Sequence, residues 1–152
     1  GGHRAAAGLT IRVDHLPALA EAFASSAFEG ADPAAWVPRM SADAEIDLDA
    51  VTWDTWAAVQ RLAPFGVGNP EPVFVARDLR ATSVRLLSKG GLRLQVRQGS
   101  GAPRAAIGFG LGLDPEELAG RPLEAAFCLS ENIWRGERSL ELRLRDLRPS
   151  EG

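Results

Sequence analysis

The opening octet of the sequence, GGHRAAAG, groups residues that are suited to binding an anion. Gly1 and Gly2 lack a Cβ atom, so their backbone N–H groups can approach a phosphate closely. His3 can donate a hydrogen bond to a phosphate oxygen, and Arg4 adds positive charge nearby. If the following residues begin a helix, its N-terminus favours the same anion. These residues predict a phosphate-binding segment, with a remnant of cloning as the alternative.

A second group of candidate binding residues lies in NIWRGER, residues 132–138. Trp134 offers a ring on which a nucleobase could stack, and Arg135 and Arg138 could meet phosphates. The alternative is that Trp134 packs on the edge of its domain while the arginines are solvated. Weaker candidates are basic residues of predicted strands, whose alternation already predicts exposed charge without any ligand: Arg80, Arg85, Lys89, Arg93 and Arg97.

The chemistry of metal-dependent phosphodiester hydrolysis needs several carboxylates and histidines around two ions. The only histidines are His3 and His15, and the acids of residues 43–54 are spread along a linker. The single cysteine, Cys128, lies in an apolar strand pattern that is typical of an unreactive buried thiol. We therefore expect no catalytic residue, no metal ligand and no bound cofactor in this chain.

Composition and charge restrict the class of protein. The 152 residues are 45% hydrophobic and 24% charged, as in soluble globular proteins. No apolar run is long enough to cross a bilayer, so we expect a cytoplasmic protein without a membrane partner. Residues 1–76 carry four basic and ten acidic side chains, whereas residues 77–148 carry thirteen basic and nine acidic ones. The basic half predicts an anionic partner such as nucleic acid.

The elements that must position these residues change character near residue 72, where apolar residues begin to alternate with polar ones. Gly90-Gly91 is a hairpin signal, and Asp114-Pro115 predicts the start of a short helix. Five strands with a small helix between the third and fourth predict an α+β protein with a five-stranded OB-fold β-barrel, and a β-sandwich is the competing fold. The predicted strands span residues 80–87, 92–97, 105–109, 123–129 and 140–145.

The first half predicts fewer elements. Residues 8–13 have an apolar strand pattern, followed by a helix with Asp14 as its N-cap. Residues 52–62 predict a second helix, with Trp56, Val59 and Leu62 on one face. The tryptophans at positions 36, 53 and 56 are expected to pack the linker onto a domain.

The run LAPFGVGNPEPVF, residues 62–74, places three prolines and two glycines around Phe65. Gly68-Asn69-Pro70 within it predicts a tight, rigid turn at the border between two domains.

Several of these motifs resemble known families. GGHRAAAGLTI resembles the GGHxxAAG signature of the DHH-associated domain of DHH-superfamily phosphoesterases. LAPFGVGNPEPVF, AAIGFG (105–110) and NIWRGERSLELRLRDLR (132–148) resemble the OB domain of the RecJ family of single-stranded-DNA-specific exonucleases. The resemblance implies four segments: the truncated end of an α/β DHH-associated domain (1–30), an acidic, partly helical linker (31–61), the OB domain (62–148) and a tail (149–152). It also implies that the chain is the C-terminal piece of a longer protein.

The function that this resemblance implies is 5′→3′ digestion of single-stranded DNA in DNA repair and recombination. The family's divalent metal, Mg or Mn, lies on an N-terminal catalytic domain with an Asp-His-His motif that this sequence lacks. The chain would then be inactive alone and would position single-stranded DNA for that missing domain of the same protein. By analogy, Gly1, Gly2 and His3 would hold a phosphate opposite the metal site, while the barrel holds the strand further along. The histidine that often begins the second barrel strand in the family is absent from residues 91–94.

Two alternatives remain open. A phosphodiesterase of the same superfamily, acting on short oligonucleotides or cyclic dinucleotides, would share the glycine-histidine motif but generally lacks an OB tail. The other alternative is a non-enzymatic module whose barrel binds a protein partner.

Overall fold

Two units make up this protein, residues 1–40 and residues 41–152. The structure is a computed structural model that describes residues 2–3, 6–28, 32, 37, 39–118 and 120–150, so Trp36 lies outside the described residues. None of the helices in this described part is long and apolar enough to cross a membrane.

The first unit begins with a short antiparallel pair, β1 (Gly2–His3) and β2 (Ala6–Ala7). Gly2 lies opposite Ala7, and a Cβ atom on Gly2 would come within 3.0 Å of the Ala7 Cβ. The close approach of the two backbones therefore favours a glycine at this position. The helix start considered for the residues after the glycines is not present at Ala6–Ala7, which form a strand.

The rest of the first unit contains one helix, α1 (Leu16–Phe28), as predicted. The strand predicted over residues 8–13 is absent, because residues 8–12 have no regular structure and a 3₁₀ turn covers Val13–His15. Asp14 lies in that turn, where its carboxylate accepts hydrogen bonds from Arg12 Nε (3.0 Å) and Nη2 (2.8 Å). The Asp14 side chain therefore binds the neighbouring Arg12, and among the described residues it makes no capping hydrogen bond to α1.

The second unit is built around a closed β-barrel. A long strand closes it, because β4 (Phe74–Leu87) pairs with β7 (Leu123–Trp134) through its first half and with β5 (Gly91–Gln98) through its second half. The circle continues through β6 (Arg104–Phe109) and β8 (Glu137–Pro149), which pair in parallel, and back to β7. This order confirms the five-stranded OB-fold barrel. A sixth strand, β3 (Ala44–Glu45), adds in parallel to the start of β4.

The predicted alternation supplies the core of this barrel. Leu94 of β5, Leu129 of β7 and Leu142 of β8 are each almost completely buried, and burial of one such side chain contributes about 1.5–3 kcal/mol. The predicted short helix is α3 (Pro115–Leu118), where the Glu116 N–H donates to Asp114 Oδ1 at 3.0 Å. All five predicted strands are present.

Residues before the barrel contribute to the same core. The second predicted helix is α2 (Trp53–Gln60), and Thr52 caps it by accepting a hydrogen bond from the Thr55 N–H. Val59 is buried as expected. Leu62, which was predicted on the same face, is 56% exposed because α2 ends at Gln60.

The run of residues 62–74 contains the predicted tight turn. Gly66 and Asn69 exchange backbone hydrogen bonds of 2.9 and 3.1 Å, and Gly68 has φ +85°. Asn69 Nδ2 also donates to the carbonyl oxygens of Leu62 (2.9 Å) and Pro64 (2.8 Å). One amide side chain therefore holds the end of the segment after α2 in place, and Phe65 packs against the core.

Ion pairs attach this run and β3 to the barrel. Glu71 pairs with Arg143 and Arg145 of β8, while Arg77 pairs with Glu45 and Glu124. The hydrogen bond from Arg77 to Glu45 and the nearby charge of Glu124 raise the pKa of Arg77. These arginines are therefore neutralised by carboxylates of the same chain.

Cys128 is completely buried, as predicted. Its Sγ accepts a hydrogen bond from Arg145 Nε at 3.3 Å, and this contact raises the pKa of Arg145.

Replacing Asn69 by alanine should lower the free energy of unfolding by about 1–2 kcal/mol, because two carbonyl oxygens lose their amide donor. Equilibrium denaturation measures this change. Asn69→Asp, which keeps the shape but has no N–H donor, should be at least as destabilising. An Asn69→Ala variant as stable as the wild type would contradict the role given to the amide.

Candidate nucleic-acid interface

A long hairpin carries the first candidate group. Strands β7 and β8 pair from Leu123↔Pro149 to Trp134↔Glu137, so only Arg135 and Gly136 remain as the turn. Both turn residues have positive φ, 52° and 86°, as a type I′ hairpin turn requires. The predicted loop of residues 132–138 is thus the end of a hairpin with a regular alternation of side chains.

One face of this hairpin bears Trp134 beside basic residues. The Trp134 ring is 68% exposed, and the guanidinium carbon of Arg135 lies 5.7 Å from its centroid. Arg93 of β5 reaches the same place, with Nη2 3.9 Å from Glu141 Oε2. A cleft of about 470 Å³, here called the Trp134 cleft, is lined by Arg93, Asn132, Trp134, Arg135, Glu137 and Ser139.

The opposite face of the hairpin holds Arg138. Its guanidinium carbon lies 4.9 Å from the centroid of the Trp53 ring, and its Nε pairs with the Glu131 carboxylate. Trp53 also meets Trp56 edge to face, with centroids 5.6 Å apart. The structure therefore brings Trp134, Arg135 and Arg93 together but places Arg138 against α2. Its phosphate role stays a prediction.

A second cleft of about 670 Å³ lies between α2 and the outer surface of β5 and β6. Trp53, which is 40% exposed, lines this cleft together with Gln95 and Arg104. The Arg104 Nε is buried and has no hydrogen-bond partner in the described part of the chain. This Trp53 cleft is lined by Val51, Thr52, Trp53, Arg93, Gln95, Pro103, Arg104, Ala105, Ser139 and Leu140.

Sequence reasoning missed Trp53 and Arg104 as residues of a cleft. Trp53 was assigned to packing, and the T-shaped contact with Trp56 agrees with that in part. Arg104 precedes the apolar residues that marked the third strand, so no sequence signal connected it with Trp53. Both depend on contacts between residues far apart in the sequence.

The remaining basic candidates lie on the outside of β4 and β5. Arg80 is directly opposite Arg97, and Arg85 is directly opposite Arg93. Like charges in such pairs repel each other, and a bound anion would relieve the repulsion. Among the described residues, neither Arg85 nor Arg97 has a carboxylate partner. The side chain of Lys89 lies outside the described part.

The predicted phosphate-binding segment is described only in part. Gly2 and His3 lie in β1 and are exposed, whereas Gly1 and Arg4 are outside the described residues. In the described ranges, no three His, Cys, Asp or Glu side chains are grouped so that they could hold a metal ion.

Comparisons with known proteins agree with the barrel. The family model described as RecJ OB domain matches residues 42–146. The single-stranded-DNA-specific exonuclease RecJ of Dickeya dadantii is 30% identical over 152 residues, covering 98% of this chain and 26% of the relative. That of Thermus thermophilus is 32% identical over 161 residues, covering 99% of this chain and 21% of the relative.

Solved structures give the same picture. RecJ from Thermus thermophilus in complex with Mn²⁺ matches with a TM-score of 0.69 at 27% identity, covering 100% of this chain and 22% of that one. The complex with Mg²⁺ matches with a TM-score of 0.68 at 28% identity, covering 100% of this chain and 23% of that one. The chain thus spans about a quarter of the length of the relatives that it matches.

The two exposed tryptophans should differ in their effect on stability. Trp134→Ala should change the free energy of unfolding by less than about 0.5 kcal/mol, because most of the ring contacts solvent. Trp53→Ala should cost about 1–2 kcal/mol, since it loses an aromatic pair and a cation–π contact. Chemical denaturation of both variants measures the difference. An equal loss in both would mean that Trp134 packs on the barrel edge.

Proposed function

This chain belongs to the RecJ OB domain family, and on that premise we propose that it binds single-stranded DNA on behalf of a longer exonuclease. The observation that carries the proposal is the position of Trp134 beside Arg93 and Arg135. In OB folds, nucleic acid commonly lies across the second and third strands and the loops that border them. Here these are β5, β6 and the hairpin of β7 and β8.

Three residues of the Trp134 cleft have distinct parts in this binding. Trp134 stacks on a nucleobase, and such stacking tolerates any base because every base has a π face. Arg93 and Arg135 meet phosphates on either side of that nucleotide. The paired arginines on the outside of β4 and β5 attract the strand over a longer distance, and their mutual repulsion falls when a phosphate lies between them.

The activity of the longer protein is also part of the proposal. It would hydrolyse single-stranded DNA from the 5′ end in DNA repair and recombination, and the relatives named as single-stranded-DNA-specific exonucleases support this. Its divalent metal, Mn²⁺ or Mg²⁺, would polarise the scissile phosphate and activate water when bound. The described residues offer no group that fits such an ion, so this chain alone would position substrate without cleaving it.

The N-terminal segment has a separate role in this scheme. Gly1, Gly2, His3 and Arg4 would hold a phosphate of the strand near the reacting group. Support for this comes from the GGHxxAAG motif and from the exposure of His3 in β1. The division of the chain at residues 30, 61 and 148 and the cytoplasmic location are further predictions of the same proposal.

Single-stranded DNA binding by this chain should weaken steeply with added salt, because binding releases counterions from the phosphates. Trp134→Ala should weaken it by roughly 1–3 kcal/mol if the ring stacks on a base. Fluorescence anisotropy of a labelled oligothymidylate at several salt concentrations measures both effects. Val67→Ala, which removes an exposed apolar side chain outside both clefts, is the matched control.

No binding at low salt would contradict the proposal and favour a barrel that binds a protein partner. Unchanged affinity of a folded Trp134→Ala variant would remove this residue from the interface.

In the full-length protein, His3→Ala should slow cleavage of single-stranded DNA while metal binding stays intact, because His3 acts on the substrate phosphate and not on the metal. Single-turnover cleavage and a metal titration measure the two quantities. His15→Ala, an exposed histidine of the neighbouring 3₁₀ turn, should cleave like the wild type. Wild-type cleavage by His3→Ala would refute the phosphate role.

A further inference from the structure

We infer that the Trp53 cleft is a second nucleotide subsite, so that a strand bound at Trp134 continues past Arg93 into a cleft formed by Trp53, Gln95 and Arg104. This inference rests on the proposed single-stranded DNA binding. The inference specifies the path of the DNA strand over the barrel. It also assigns a nucleotide as ligand to Trp53 and Arg104, which sequence patterns did not connect.

The two clefts are adjacent. Arg93 and Ser139 line both of them, so a chain leaving one cleft passes these two side chains to enter the other. Arg93 is about half-exposed and has a long ion pair of 3.9 Å with Glu141. Its guanidinium can therefore contact the phosphate that joins the two bound nucleotides without losing a tight carboxylate partner.

Arg104 is the strongest sign of a missing ligand. Its Nε is buried, yet in the described ranges it has no hydrogen-bond partner. A buried donor without a partner costs free energy, and an acceptor oxygen entering the cleft would recover it. Because the group is a guanidinium, the acceptor that it binds best is an anionic phosphate oxygen.

The other walls suit the base of a nucleotide. The Trp53 ring supplies an aromatic surface, and the Arg138 guanidinium over it, held by Glu131, fixes the orientation of the ring. The Gln95 side-chain amide makes no hydrogen bond to another described residue, so it can donate to and accept from the edge of a base. Together, the aromatic ring, the side-chain amide and the guanidinium fit a whole nucleotide better than they fit a phosphate ion alone.

The competing path for the strand runs over the outside of β4 and β5, where Arg97 continues the row from Arg93. On that path the exposed Phe109 ring lies over Gly91, at the opposite end of the row from Arg97, and Arg97 lines neither cleft. The two paths therefore differ in which substitutions should weaken DNA binding. These are substitutions of Arg104 and Gln95 for the Trp53 cleft, and of Arg97 for the outer face.

The test measures affinity for oligothymidylates of increasing length, over roughly 4 to 16 nucleotides, the range of site sizes of OB folds. The wild type should bind more tightly once the oligonucleotide spans both clefts. Arg104→Gln and Gln95→Ala should each lose that increase, with roughly tenfold weaker binding of the longer strands by Arg104→Gln. Arg121→Gln, which removes the same charge outside both clefts, should retain the increase.

These variants separate the subsite from the underlying function. If the longer strands bind Arg104→Gln and Gln95→Ala as they bind the wild type, while Trp134→Ala weakens binding, the subsite is refuted and single-stranded DNA binding stands. Weaker binding by Arg97→Gln alone would also refute it, in favour of the outer path. If the wild type binds no strand of any length, both proposals fail. The test uses variants of Arg104 and Gln95, because substitutions of Trp53 would also disturb α2.

Discussion

The register of β7 against β8 is the constraint on which the binding surface depends. Residues of a strand alternate between its two faces, so the register that buries Leu129 and Leu142 in the core also determines the faces of the hairpin end. Continued without a break, it sends Trp134 to the outer face and Arg138 to the side of α2. A slip of one residue would exchange the two faces and would also expose the core.

A bulge keeps that register compatible with the rest of the barrel. Phe127 pairs with Leu144 while Ala126 pairs with Asp146, so Arg145 has no directly opposite residue. The extra residue reverses the alternation, which returns Leu147 to the core and leaves Arg145 outside, where it donates to Cys128. The barrel and the hairpin end therefore each have the orientation that their side chains require.

The charge of the basic half is distributed unevenly by ion pairs. Carboxylates within the chain neutralise Arg77 and Arg143, which line neither cleft, and Arg138, which lies over the Trp53 ring. Arg85 and Arg97 on β4 and β5, together with Arg104 in the Trp53 cleft, have no such partner among the described residues. Part of the positive charge without a carboxylate partner thus lies on and beside β5, which is where an OB fold would receive a strand of DNA.

Much of this fold could be read from the sequence, because alternation reports directly on which side chains are buried. The five barrel strands and α3 were predictable for that reason. The predicted strand of residues 80–87 begins later than β4 does, since Arg77 and Asp78 form a bulge against Glu124 and interrupt the alternation that starts near residue 72. Residues 8–13 have a strand pattern but no partner strand in the described part of the chain, so the pattern produces no strand.

The site was less predictable than the fold. Trp134 was found because an aromatic residue followed closely by Arg135 and Arg138 suits the stacking and phosphate contacts of a nucleic acid, but its face depends on a register that no local pattern gives. Trp53 and Arg104 are far apart in the sequence. They line the same cleft only because the segment before the barrel folds back on the barrel. Such contacts between distant segments leave no periodic signal.

The most direct measurement is nuclear magnetic resonance of this chain titrated with single-stranded oligothymidylate. If single-stranded DNA binds across β5, β6 and the hairpin end, the largest shifts fall on the Trp134 indole and on backbone amides of β5, β6 and residues 132–139. Shifts centred instead on residues 74–79 of β4 and residues 123–127 of β7, with the Trp134 signal unmoved, would contradict this binding surface.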